Sequence, residues 1–217
     1  MGTVTAADIL STARSTLLDV ASTAWSQQDL LDYLNQGLRA CAGAKPDFYT
    51  VKGNVELVAG PEQALPADGV QVLDILENAY SGEVVTLVDR ELIDETNRFW
   101  PVTDRSRDAQ HYAVDPRDPA RFTVMPPNDG TGEVRALYGA LHPTIALADI
   151  NDALLVSDKF QPVLVSYVLH RAYAKNSQRQ DLAKSSFYKQ QWAADLGLDT
   201  RAQAALAPRA TPQGNKP

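Results

Sequence analysis

Residues 161–176 read QPVLVSYVLHRAYAKN, and the reading of this stretch decides how the rest of the chain is arranged. Apolar residues at three- and four-residue intervals predict a helix, with Pro162 in its first turn, where a missing N–H costs no backbone bond. Leu164, Val165, Val168, Leu169 and Ala172 share one broad apolar stripe. Phe160, Val163 and Tyr167 lie on the other side, flanked by His170 and Arg171. A helix apolar nearly all round has more than one surface to bury. Successive helical residues point about 100° apart, so His170 and Arg171 do not converge on one reacting atom. Arg171 is expected instead to pair with an acid of the N-terminal helices, Asp29 or Asp32.

A helix this short is marginal by itself, so it needs partners. One follows at once: Ser177 is an expected N-cap, Phe187, Tyr188 and Trp192 continue the pattern, and Gly197 ends it. Two more open the chain. Ala6, Ile9, Leu10, Ala13, Leu17 and Val20 fall at helical spacing. In WSQQDLLDYLNQGL (residues 25–38), Ser26 and Asp29 have the spacing of a capping box, with Trp25 and Leu30 placed as a hydrophobic staple. Leu30, Leu31, Leu34, Leu38 and Cys41 continue one face until Gly43 and Pro46. Between the pairs lie short β-type runs, VKGNVELVAG, DGVQVLDIL, EVVTLVD, QHYAVDP, RFTVMPP and GEVRALYGAL, with one short helix expected over 89–100. Asp–Pro, Pro–Pro and Asn–Asp–Gly steps punctuate them as turns.

The expected fold is therefore α+β, a helical bundle built from N- and C-terminal helix pairs with an antiparallel β-rich insert, sandwich or small barrel. Its parts are an N-terminal hairpin (1–48), a β-rich domain with one short helix (49–142), a linker (143–157), a C-terminal helix pair (158–198) and an extended tail (199–217). The tail has the composition of a disordered segment.

At 217 residues the chain is long enough to bury a full core without covalent staples. A single cysteine excludes an intrachain disulfide and fits synthesis in a reducing cytoplasm. The first ten residues, MGTVTAADIL, lack the features of a signal peptide. No apolar run approaches the length of about 20 residues that spans a bilayer, so no membrane is expected. The net charge of -7 is uneven: 24 acids against 11 bases up to Asp158, then 3 acids against 9 bases. The acidic part argues against sequence-specific DNA binding, which needs a basic face. The basic end is a candidate docking surface for an acidic partner.

Little in the sequence carries chemistry. His111, His142 and His170 have no second ligand at metal spacing, and no phosphate loop or nucleophile elbow occurs, so neither metal nor cofactor is expected. Cys41 reads as a core residue. Asp115 and Asp118 in VDPRDP, with His111, leave a small carboxylate-dependent hydrolase as an alternative, although Asp–Pro is foremost turn chemistry.

WSQQDLLDYLNQGLRA, RFTVMPPNDGTGEVRALYGALHP and FQPVLVSYVLHRAYAKN, followed by a helix ending in DLGL, occur in an order and spacing that resembles the head-to-tail adaptor (connector) proteins of short-tailed bacteriophages, of the tail tubular protein A type. The resemblance runs to about Leu198. It implies a structural virion protein of the neck, not an enzyme: a homo-oligomeric ring of twelve copies between the portal protein and the tail nozzle protein. Double-stranded DNA would pass through its lumen without sequence-specific binding. Phe160, Val163, Tyr167, His170, Arg201, Arg209 and Lys216 are then candidate contacts with a neighbouring subunit or the portal. Acidic side chains of the β-region are expected to face the lumen. Another neck or tail-completion protein, or a host-directed interaction module, would share these features.

Overall fold

The computed structural model describes residues 2–19, 22–96, 98–102 and 104–198. Among the described residues two compact units form, one from Gly2–Gly37 with residues 145–198, the other from Leu38–Thr144. The division falls inside a helix. The expected order of helix pair, β-rich insert and helix pair is present, and the fold is α+β.

The helical unit contains α1 (Ala6–Leu17), the first part of α2 (Gln27–Ala44), α4 (Gln161–Ala174) and α5 (Leu182–Leu196). Thr5 and Asp8 form a capping box at the start of α1. At α2 the box foreseen in the sequence is closed in both directions. The Ser26 N–H donates to Asp29 Oδ2 at 3.1 Å, and the Asp29 N–H donates to Ser26 Oγ at 3.0 Å. Trp25 and Leu30, the two ends of the staple, are both buried. Pro162 sits in the first turn of α4. The last helix begins later than expected: its N-cap is Asp181, whose side chain accepts from the Lys184 N–H, while Ser177 lies in the preceding turn. Gly197 closes it in the left-handed region, φ 81°. Val20, the last residue of the expected α1 stripe, falls outside the described residues. The stretch expected as a linker is held to the chain start: Thr5 bridges Ala153, and Asp158 accepts from the backbone of Thr3 and Val4.

The other unit holds two sheets. One is β1 (Thr50–Glu56), β7 (Glu133–Ala140) and β3 (Gly69–Asn78), with β7 central and all pairing antiparallel. The second runs β2 (Gly60–Ala64), β6 (Arg121–Asn128), β5 (His111–Ala113), β4 (Thr86–Leu87). Inward residues of both sheets, among them Val55, Ile75, Tyr112, Phe122, Val124, Val134 and Tyr138, make one core. Two features depart from the sequence reading. β2 was not foreseen, because GPEQA has neither alternation nor β-branched residues. It is an edge strand, and Pro61 falls where the register slips between Gly60 and Glu62, so no ladder bond needs its N–H. The same slip absorbs Pro126 and Pro127 of β6, which lie between the paired residues Thr123 and Asn128. The second departure is β4, which pairs parallel to β5. The connection between them carries α3 (Arg90–Thr96), and a crossover with a helix is what returns a chain parallel to itself.

Three buried amides hold the loops of this unit. Gln63 bonds both polar groups of Val58 and the Gly60 carbonyl. Asn78 bonds both polar groups of Ala109. Asn128 donates to the carbonyls of Ser106 and Arg107 and accepts from the N–H groups of Gly130 and Gly132. Each side chain supplies the partners that backbone buried outside a ladder would otherwise lack.

Candidate assembly interface

In the helical unit α4 is the element covered on most sides. Val163, Leu164, Ser166, Val168, Leu169, Ala172 and Tyr173 are all buried. On one side α5 returns antiparallel: Tyr167 meets Trp192 edge-on at 5.5 Å, and Tyr173 stacks on Tyr188 at 5.9 Å. On another side lies α2. A Cβ placed on Gly37 would come within 2.9 Å of the Tyr167 ring, so glycine sets how closely these helices approach. The Trp25 indole N–H donates to the Ala172 carbonyl at 3.1 Å.

The turn between α1 and α2 is organised by Asp19, a carboxylate only 2% exposed. It accepts from the Thr23 hydroxyl and from the N–H groups of Thr23, Ala24 and Trp25, and Arg179 stands 3.7 Å away. The Thr23 hydroxyl, followed by those N–H groups, holds the carboxyl well below the usual carboxylate range, against the opposing push of burial. A depressed folded-state pKa stabilises the fold above the unfolded value and loses that contribution as pH falls through the folded one. Asp19→Asn is therefore expected to destabilise the protein at neutral pH, by a margin that narrows on acidification. Urea unfolding from about pH 7 to pH 3 measures it; a margin independent of pH would show that the charge is not what Asp19 contributes.

The residues singled out in the sequence are dispersed. Phe160 and Val163 are 5% and 2% exposed, covered by the chain itself. Tyr167 is half-buried between Gly37 and Trp192. His170 Nδ1 lies 2.9 Å from Ser185 Oγ, and burial foremost lowers its pKa. Asp29 is taken by Lys175 at 3.0 Å, where Arg171 was expected. The reason is position along the axis: Lys175 follows α4 and reaches the α2 N-terminus. Arg171 is exposed, with its guanidinium 5.8 Å from the Tyr33 ring centre. Asp32 accepts from Gln28 on its own helix. Arg201, Arg209 and Lys216 lie outside the described residues.

The exposed apolar surface of this unit is elsewhere. Leu182 and Phe187 on α5 are 64% and 59% exposed, and Leu18, at the end of α1, is 84% exposed. Leu18 also adopts φ 54°, a left-handed conformation unfavourable for leucine, so it combines two local costs. Asp19 next to it pairs with Arg179, which places Leu18 and Leu182 at the same end of the unit. A helical wheel of α5 held the signal for Phe187: Ser185, Tyr188, Trp192 and Leu196 form the stripe that faces inward, and Phe187 falls about 145° from its centre.

The residues weighed for hydrolysis are engaged in local structure. Asp115 caps the Arg117 N–H and opens a turn closed by Asp118, which pairs with Arg121 at 3.4 Å. His111 Nδ1 lies 2.6 Å from the Thr86 hydroxyl. Among the described residues no group of three or more His, Cys, Asp or Glu is placed to hold a metal ion, and no helix is long and apolar enough to cross a membrane.

No curated protein matches the sequence. The family model described as SU10 adaptor protein matches residues 4–213, nearly the whole chain. With a helix pair before and after a β-rich insert along the chain and apolar surface left open on α5, the chain belongs to the SU10 adaptor protein family, a family of structural phage head–tail adaptors.

Proposed function

We propose that the chain works as an adaptor of the tail tubular protein A kind: a ring of twelve copies in the neck of the virion, joining the portal to the tail nozzle around the path of the DNA. Catalysis has no part in this reading. The observation that carries it is the exposed apolar surface of α5: Leu182 stands open at its first turn, and Phe187 points away from the side occupied by α4. A ring needs two unlike faces per subunit, and an apolar patch supplies one half of such a heterologous contact. The acidic excess up to Asp158 suits a channel that DNA must traverse without adhering, since binding to phosphates needs cations. Arg201, Arg209 and Lys216 are the proposed contacts to an acidic portal surface.

Leu182→Asp combined with Phe187→Asp is expected to leave the helical content intact and to abolish rings seen by electron microscopy of the protein, alone and with the portal. Both side chains are exposed, so the fold tolerates the change. Rings that persist in the double variant would refute this placement of the contact. A wild-type chain that never forms rings in either condition would refute the adaptor ring itself.

A further inference from the structure

The four outer strand edges of the β-rich unit are not alike. β3 is bulged at three places, and parts of its outer edge are bonded by the chain itself: Val72 N–H to the Pro119 carbonyl, Asn78 N–H to Glu83, and Val85 N–H back to Leu76. β2 is interrupted by Pro61 and a register slip, and β4 is two residues long. β1 is different: seven residues pair with β7 without a single slip. The flanking bonds, Ala140 N–H to Tyr49 and Leu57 N–H to Gly132, set the alternation. Odd residues from 49 to 57 turn their backbone groups towards β7, so Thr50, Lys52, Asn54 and Glu56 turn theirs outward. All four have exposed side chains on one face of the strand, and no hydrogen bond reaches their outward groups among the described residues.

An uncovered, regular edge is a template for another strand. The side chains on this one specify which. Antiparallel pairing of β1 with β1 of a second copy, centred on Asn54, places Lys52 opposite Glu56 of that copy and Glu56 opposite its Lys52. Asn54 faces Asn54, and the small residue Gly53 faces Val55. The bonded positions are all even-numbered, which are the positions whose N–H and C=O groups point outward. Backbone register and charge register therefore agree in one arrangement: moving the centre by one residue sets Lys52 and Glu56 against neutral residues, and moving it by two sets one of them against its own copy. We propose that β1 is a self-complementary edge through which two copies pair about a two-fold axis, joining their three-stranded sheets into one of six strands. A two-fold contact is isologous, whereas neighbours in a ring meet through unlike faces, so the pair is a state of the unassembled chain that covers the edge before assembly. It uses none of the α5 residues on which the ring reading rests.

The test is a charge swap read by sedimentation equilibrium of the full chain, repeated in the Leu182→Asp/Phe187→Asp background. Wild type is expected to show a concentration-dependent dimer. Lys52→Glu and Glu56→Lys should each weaken it about tenfold, because two cross-strand pairs turn from attractive to repulsive. The double variant Lys52→Glu/Glu56→Lys should recover wild-type association, since both pairs are restored with reversed sign. Asn54→Cys should form an interchain disulfide on mild oxidation, and Lys52→Cys alone should not. The native Cys41 is buried and does not compete. A chain that stays monomeric in the background lacking the α5 contact, or a double variant no better than the singles, would overturn the proposal. A dimer that persists in that background with all charge variants alike would overturn it too, by locating the contact elsewhere.

Discussion

Replacing Trp25 with alanine is expected to remove about 3–5 kcal/mol from the stability of the protein, a large share of what a domain of this size possesses. Trp25 is 1% exposed and stands just before the capping box of α2, so it closes the turn from α1 and covers α4 together. Its ring packs edge-on to Tyr173 at 6.5 Å, and its N–H satisfies the Ala172 carbonyl near the end of α4. Alanine would leave a cavity and remove one of the two hydrogen bonds to that carbonyl, which keeps the Lys175 N–H at 3.3 Å. Trp25→Phe separates the two effects: most of the apolar area remains, and the lost hydrogen bond alone should cost about 1–2 kcal/mol. Urea unfolding followed by circular dichroism measures both. An alanine variant within about 1 kcal/mol of wild type would contradict this role for the indole.

Asn128→Leu should have a comparable effect in the β-rich unit, about 3–5 kcal/mol, for a different reason. Leucine keeps the branched outline at larger volume, but the Arg107 carbonyl and the N–H groups of Gly130 and Gly132 lose their partner at a site 1% exposed, while the Ser106 carbonyl keeps only the Asp129 N–H. The site is tight: even a Cβ at Gly132 would collide with the Arg107 carbonyl and the Asn128 amide. Asn128→Asp is the sharper variant. Its carboxylate would still accept from the two N–H groups but would face two carbonyl oxygens, which raises its pKa. An acid with a raised folded pKa is neutral at no cost below the unfolded value and destabilises progressively as pH rises above it. The Asp variant should therefore approach wild type on acidification while the Leu variant should not. Parallel behaviour of the two would show that shape, and not hydrogen bonding, is what Asn128 supplies.

Much of the architecture was legible because local chemistry and tertiary structure agree. The Ser26–Asp29 box, the Trp25–Leu30 staple, Pro162 in a first turn and Gly197 at a helix end each depend on residues within one or two turns of one another. The order of helix pair, β-rich insert and helix pair follows from hydrophobic period and turn residues alone. What failed shows where that information ends. β2 has no strand pattern because an edge strand next to a bulge needs little of one. The helix start at Asp181 was misplaced because Ser177 is an equally good cap on composition, and only the turn that returns α5 onto α4 selects between them.

The candidate interface was the part least accessible from sequence. Period shows that α4 is apolar nearly all round, so the sequence by itself determined that this helix must be covered on several sides. It did not determine by what. Phe160 and Val163 are covered by their own chain, Lys175 takes the carboxylate expected for Arg171, and the most exposed large apolar residues of the helical unit, among the described residues, are Leu18, Leu182 and Phe187. Burial depends on which elements meet, and a periodic pattern carries the direction of a side chain but not the identity of its neighbour. Only the tertiary structure decided which apolar surface the fold consumes and which it leaves open for another chain.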